Sequence, residues 1–261
     1  MTVSFVIDAW AACAPGLESP AAWLRWADGP WLPVGEPQAA LAAVPPLLRR
    51  RFGPLGRVAA QAGFDLASSQ AGAVPAAVTT AMTTAMPTVY ASRYGDAARC
   101  LALLADHARG DALSPAAFGL SVHNAIGAMV AIAREDRSNS AAIAAGRATA
   151  AAGLLEAVGL LEDESPAAAL VVYDAPLIPD YAGFEDEPAA PFAWAWRVRR
   201  PRAGEPALHL DWPASGTPAP AADARVDALP ASLQVLWFAL SGAPALHQEV
   251  EGRRLRWSRD V

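Results

Sequence analysis

Val3-Ser-Phe-Val-Ile-Asp-Ala-Trp10 opens the chain with β-branched and aromatic residues, which predicts a first strand. Between residues 11 and 47 the periodicity disappears. Prolines alternate with Trp23, Trp26 and Trp31, and an irregular layer pinned by indole packing is expected. Leu47, Leu48, Phe52, Leu55, Val58, Ala59 and Ala62 then recur near helical spacing, with Gly53-Pro54 expected to disturb the first turns. Residues 67–87, rich in Ala, Thr and Ser, predict a loop or a weakly specified helix. Thr88–Ser92 predicts a second strand. It leads into a helix that starts at Asp96, an N-cap type residue, and stops at Gly110, a C-cap type residue. Ser114-Pro115 predicts a turn or helix start.

Phe118–Gly127 is expected to form a buried loop. A short strand near Ser138–Ala142, an elbow of small residues and a long helix through Glu156 should follow. Leu170–Tyr173 reads as a buried strand, and the acidic, proline-rich residues 174–191 read as a loop. Phe192, Trp194, Trp196 and Val198 alternate with Ala193, Ala195, Arg197 and Arg199. Period two predicts a half-buried strand with the arginines on its exposed face. Ala207–Trp212 is expected to pair with it as a hairpin. A Pro/Ala linker (213–230), an apolar helix from Leu233 to Leu240 and a short strand from Arg254 to Trp257 complete the chain. Alternating strands and helices followed by paired strands predict an α/β protein with a mixed sheet.

Composition narrows the picture. The 261 residues are long enough to bury a large core, and 54% hydrophobic with 18% charged residues is a globular balance. A net charge of -6 predicts no general attraction to nucleic acid or anionic lipid. The run Arg49-Arg-Arg51 is a local exception, read as a solvated helix start. The two cysteines, Cys13 and Cys100, do not make a disulfide framework. The N-terminus has no basic region and carries Asp8 inside its apolar stretch, so it does not read as a signal peptide. The longest small-apolar run, Ala141 to Leu161, contains Arg147 and Glu156. A central Arg costs roughly 2.5–3.5 kcal/mol on insertion, so no membrane span is expected, and a cytoplasmic protein is.

Several segments together resemble a known family. Arg49-Arg-Arg-Phe-Gly-Pro-Leu-Gly-Arg-Val-Ala is similar to the Arg-rich first helix of β-ketoacyl synthases. Ser114-Pro-Ala-Ala-Phe-Gly-Leu-Ser-Val-His-Asn-Ala-Ile-Gly and the helix Gly146…Leu154-Leu-Glu-Ala resemble the short β-ketoacyl synthase-like, N-terminal family. Trp10-Ala-Ala-Cys-Ala-Pro-Gly-Leu-Glu and Val171-Val-Tyr-Asp fit the same family. The resemblance implies half of a thiolase-like fold over residues 1–200, a mixed five-stranded sheet covered by helices, with 201–261 as an extension packed on the same domain. It also implies a chain-length-factor-like subunit of an aryl polyene or xanthomonadin-type type II system. Such a subunit pairs with an active ketosynthase in a heterodimer and shapes the tunnel for acyl chains delivered on an acyl carrier protein.

The resemblance further implies where a nucleophilic cysteine would stand, and Ile143 occupies that place, flanked by Ala142 and Ala144. Condensation needs a thiolate at a helix N-terminus, so no acyl-enzyme is expected. Cys100 reads as a small core hydrophobe and Cys13 as structural. The resemblance implies that the catalytic histidines of the family lie in a second half, which this chain is not expected to supply. His123 is the least ordinary of the four histidines: a core or interface histidine, or a polar group at the tunnel. Phe118, His123, Asn124, Met129 and Ile143 are therefore the candidate interface or tunnel residues. Half a thiolase fold would leave a broad apolar face open, and nine tryptophans suit a large interface. Scattered histidines and cysteines give no metal spacing, and no cofactor is implied. Two other readings stay open: an acyltransferase or hydrolase using His123 with a nearby serine, and a scaffold protein with a relic fold.

Overall fold

The computed structural model describes residues 2–68, 86–161, 165–212 and 223–260. Among the described residues, eight strands form one mixed sheet in the order β3-β2-β4-β5-β1-β6-β8-β7. They are β1 (Thr2–Cys13), β2 (Thr88–Ala91), β3 (Ser140–Ile143), β4 (Ala168–Asp174), β5 (Phe192–Arg199), β6 (Leu208–Asp211), β7 (Ala245–Val250) and β8 (Arg253–Arg259). β2 runs parallel to β3 and β4, and every other neighbouring pair is antiparallel. The α/β class and the mixed sheet are as expected, but the sheet has eight strands rather than five. The stretch expected as a weak helix falls outside the described residues from 69 to 85, as do 213–222 of the linker.

The helices are α1 (Pro20–Asp28), α2 (Pro46–Arg49), α3 (Pro54–Leu66), α4 (Ala97–Ala108), α5 (Pro115–Gly119), α6 (Ala125–Arg134), α7 (Thr149–Gly159), α8 (Ala224–Asp227) and α9 (Ala231–Ser241). Several begin where local chemistry places them. Ser19 accepts from the Ala22 amide ahead of Pro20, Asp96 from Arg99 and Ser114 from Ala117, each satisfying an orphan N–H of a first turn. Pro54 opens α3 instead of disturbing it, because the first helical position needs no N–H. Among the described residues, no helix is long and apolar enough to cross a membrane.

β1 shows how the sheet is built. Its register slips between Ile7 and Ala9, a bulge at Asp8. The bulge inverts the side-chain alternation. Phe5 and Ile7 before it, and Trp10 after it, all enter one core, while Ala9, Ala11 and Cys13 enter the other. β5 is buried on both faces rather than half-buried, because it lies mid-sheet between β4 and β1. Its indoles face one core. Ala193 and Ala195 face the other, where α3 brings Ala59, Ala60 and Ala62. Arg197 and Arg199 are therefore not on an exposed face. Arg197 is buried and bonded to Asp8, and Arg199 is bonded to Glu205.

The C-terminal residues join this sheet. β6 pairs with the first residues of β1 and with β8, not with β5, because β1 lies between β6 and β5. Trp194 and Trp196 contact at 4.4 Å between centroids, and Phe5 lies 6.4 Å from both Trp196 and Trp257. This aromatic row crosses β5, β1 and β8 and ties the C-terminal strands to the rest of the sheet. Burial of one such indole contributes about 4–6 kcal/mol before entropy costs. α9 completes that face. It shares the indole-lined core with α7 and donates from Trp237 Nε1 to the Ala27 carbonyl of α1. The open apolar face expected of a half fold is thus covered by α1 and α9. Trp10, Trp23, Trp194, Trp196 and Trp257 are all fully buried, so they serve the core and not an interface.

Candidate functional site

β3 is the edge strand of the sheet, and its elbow into α7 spans residues 144–148. Ile143 is the last residue of β3, half-buried against the indole-lined core, and so stands before the elbow rather than in it. The elbow reads Ala144-Ala-Gly-Arg-Ala148. Thr149 ties it down: its Oγ1 accepts from the Ala145 amide at 3.0 Å and donates to the Gly146 carbonyl at 2.6 Å. Gly146 is left-handed, with φ +55°. The Arg147 amide donates to Glu251 Oε1 at 3.0 Å, a contact with the turn between β7 and β8. Arg147 Nε lies 3.4 Å from Glu187 Oε2, which also accepts from the Ala231 amide at the start of α9.

No side chain from Ala144 to Thr149 is a thiol. The chain's two cysteines lie elsewhere. Cys13 is buried in β1, and burial, with Asp65 and Glu18 nearby, pushes its thiol up to about 12. At neutral pH it is protonated and a poor nucleophile. Cys100 is exposed on α4 rather than in a core as expected, because α4 buries none of its residues.

His123 is half-buried, and its Nε2 lies 2.9 Å from the Ser92 carbonyl, packing its ring over Gly95. Ser92 Oγ donates to Asp174 Oδ1 at 2.9 Å and accepts from the Gly95 amide at 2.9 Å. The serine proton is thus committed to a carboxylate. His123 reaches only the serine's carbonyl, so the pair forms no nucleophile–base dyad. The histidine ties the turn after β2 to the turn before α6.

Asp174 is half-buried at the end of β4, and loss of solvent around its carboxyl raises it to about 7 against the hydrogen bonds donated by the Ser92 hydroxyl and the Arg93 and Tyr94 amides. The native chain therefore holds this proton at pH values where the unfolded chain has released it. Stability contributed here is greatest below the usual carboxylate range and falls as pH rises towards 7. Urea unfolding of the wild type and of Asp174→Asn at pH 5 and pH 8 should show the wild type losing more than about 1 kcal/mol relative to the variant. Parallel pH dependence would contradict this.

The remaining candidates separate. Met129 is 5% exposed and packs with Ile126 and Val130 in the α3–α6 core, so it reaches neither a surface nor an interface. Asn124 is exposed and makes no side-chain cap, and Ala125–Gly127, expected as loop, form the buried first turn of α6. Phe118 is 62% exposed, not buried as expected, because α5 packs beneath no other layer. It belongs to a larger feature. From Ala97 to Asn124, through α4 and α5, no residue is buried, although the stretch carries Leu101, Leu104, Leu113, Phe118 and Val122. Such an apolar arm without a core of its own is unusual in a monomer. Among the described residues, no group of His, Cys, Asp or Glu is placed to hold a metal ion.

Sequence reasoning missed Glu251, Glu187, Ser92 and Asp174. Ser92 and Asp174 do flank their strands as polar terminators, but their meeting is a matter of strand order.

The family model described as "Beta-ketoacyl synthase, N-terminal domain" matches residues 23–258. No curated protein sequence matches significantly. Among solved structures, a ketosynthase (ApeO) in complex with its chain length factor (ApeC) from Xenorhabdus doucetiae superposes with TM-score 0.78 at 23% identity, covering 98% of this chain and 100% of that one. The ishigamide ketosynthase/chain length factor gives 0.59 at 14%, covering 80% and 68%. AntDE:AntF, a type II acyl-carrier protein in complex with its ketosynthase, gives 0.57 at 8%, covering 82% and 70%.

Proposed function

The chain belongs to the β-ketoacyl synthase N-terminal domain family, and we propose that within it this is a non-catalytic, chain-length-factor-like subunit. It pairs with an active ketosynthase in a cytoplasmic type II system of the aryl polyene kind. There it shapes the tunnel that receives acyl chains from an acyl carrier protein. The observation that carries this reading is the elbow: the strand–elbow–helix unit is kept, and no thiol stands in it. The apolar arm from Ala97 to Asn124 and the open edge of β3 supply surface for a partner. Solved relatives of similar fold include a ketosynthase in complex with a chain length factor and one in complex with a carrier protein. Phe118 and Val122, rather than Met129 or Ile143, are the side chains offered outward. The commitment of Ser92 to Asp174 weighs against an independent hydrolase.

Co-expression with a ketosynthase of an aryl polyene-type system, followed by size-exclusion chromatography, tests the reading. A one-to-one complex that condenses acyl thioesters only through the partner's cysteine is expected. A monodisperse monomer that turns over acyl thioesters alone would sink it.

A further inference from the structure

Residues 96–124 leave the sheet after β2 and return to it before α6, and none of them is buried. Neither α4 nor α5 makes substantial contact with another helix or strand. A stretch that buries nothing has little to hold its own orientation, so its direction is set at its two roots. Both roots are fastened to one residue. At the near root the Gly95 amide donates to Ser92 Oγ at 2.9 Å, and at the far root His123 Nε2 donates to the Ser92 carbonyl at 2.9 Å. A carbonyl only accepts, so this ring nitrogen carries the proton. The roots also touch each other. Gly95 is left-handed, with φ +60°, and a Cβ on it would lie 3.0 Å from His123 Cδ2. Ser92 itself is fully buried, and its other two bonds run into the sheet. Its hydroxyl donates to Asp174 Oδ1 at 2.9 Å at the end of β4, and its amide donates to the Ile143 carbonyl at 3.1 Å at the end of β3. Slighter ties are a 3.4 Å bond from Arg99 to the Arg51 carbonyl and the side of Leu120 against the α3–α6 core.

We propose that Ser92 is the positioning residue of the apolar arm: through Gly95 and His123 it sets the angle at which residues 96–124 stand from the sheet, and through Asp174 and Ile143 it ties that angle to the ends of β4 and β3. Two roots bonded to one buried post leave the arm a single attitude. Loss of either bond leaves one root, which is a hinge. Phe118 and Val122 are thereby held in a fixed relation to Ile143, the residue before the elbow. An arm held in one attitude before association has less freedom to lose on binding. That these side chains meet a ketosynthase rests on the function proposed above. That one residue orients them does not, and the test uses the free chain, so failure to pair and failure of the anchor are separate results.

Double electron–electron resonance reads the angle directly. Cys100 on α4 is exposed and takes a nitroxide, whereas Cys13 is buried with its thiol pushed up to about 12 and does not. A second nitroxide at Glu249→Cys, an exposed position on β7, completes an arm-to-sheet pair. A single narrow distance is expected in the otherwise unaltered chain. Ser92→Ala, which removes both hydroxyl bonds, and His123→Leu, which removes only the bond at the far root, should each replace it with a broad distribution. His123→Gln, whose amide can donate in place of Nε2, should keep the narrow one. A pair within the body, Arg25→Cys on α1 with Glu249→Cys in a Cys100→Ser background, should stay narrow throughout. An arm distance that stays narrow in either Ser92→Ala or His123→Leu would overturn the proposal, because the slighter ties would then suffice. Equal broadening of the arm pair and the body pair would overturn it as well, since Ser92 would then hold the whole fold and not the arm.

Discussion

Asp8→Ala is expected to destabilise the chain by about 3–5 kcal/mol, the cost of breaking a buried ion pair by removing one member. Asp8 and Arg197 are both 4% exposed, and Arg197 Nε lies 2.5 Å from Asp8 Oδ1. Arg199 Nε adds a longer contact at 3.5 Å, but its guanidinium is satisfied by Glu205. Removing the aspartate leaves the Arg197 guanidinium in the sheet without its carboxylate. It also removes the anchor of the bulge that switches β1 between its two cores. Asp8→Asn should cost less, since an amide oxygen still accepts. Replacing Asp8 and Arg197 together by apolar residues of matching volume should recover much of the loss, because the pair repays little more than its own desolvation. Urea titration reads all three variants. A change below about 1 kcal/mol for Asp8→Ala would mean that water reaches the pair. Domains of ordinary stability hold only about 5–15 kcal/mol in reserve, so soluble yield should fall with the single alanine variant.

What the sequence discloses and what it hides divide along local and non-local lines. Asp96 and Ser114 act through bonds to residues three positions on, and such signals are readable in a string. Ser19-Pro20 is a signal of the same kind, and the helix behind it could have been found. Ile126, Met129 and Val130 share one helical face, so plain periodicity would have placed Met129 in the core. The bulge at Asp8 is different. It shifts the alternation of β1 by one, and only the register against β5 reveals it. The same holds for β6, whose partner depends on the long β1 lying between it and β5. At the elbow the missing thiol is legible in the residues themselves, which read Ala144-Ala-Gly-Arg-Ala148. The Arg147–Glu251 contact joins residues 104 positions apart, so no window of sequence contains it.

Phe118→Asp combined with Val122→Asp is expected to abolish pairing with the ketosynthase while leaving the fold intact. Phe118 is 62% and Val122 42% exposed, so neither substitution places a charge in a core. In the proposed complex both side chains would lie in the desolvated centre of an interface, where each anchor is worth about 2 kcal/mol or more. Together they should weaken the complex by at least about a thousandfold, from the loss of those anchors and the burial of two carboxylates. Leu47→Asp serves as the control. Leu47 is 79% exposed on α2, outside the arm, and its variant should pair normally. Circular dichroism and size-exclusion chromatography establish that each variant is folded before pairing is measured. If the double variant is folded and still pairs with undiminished affinity, the arm is not the interface. The open edge of β3 would then have to carry the association through backbone hydrogen bonds. The two surfaces make opposite demands on side chains: the arm requires apolar ones, whereas strand addition at β3 requires only accessible backbone.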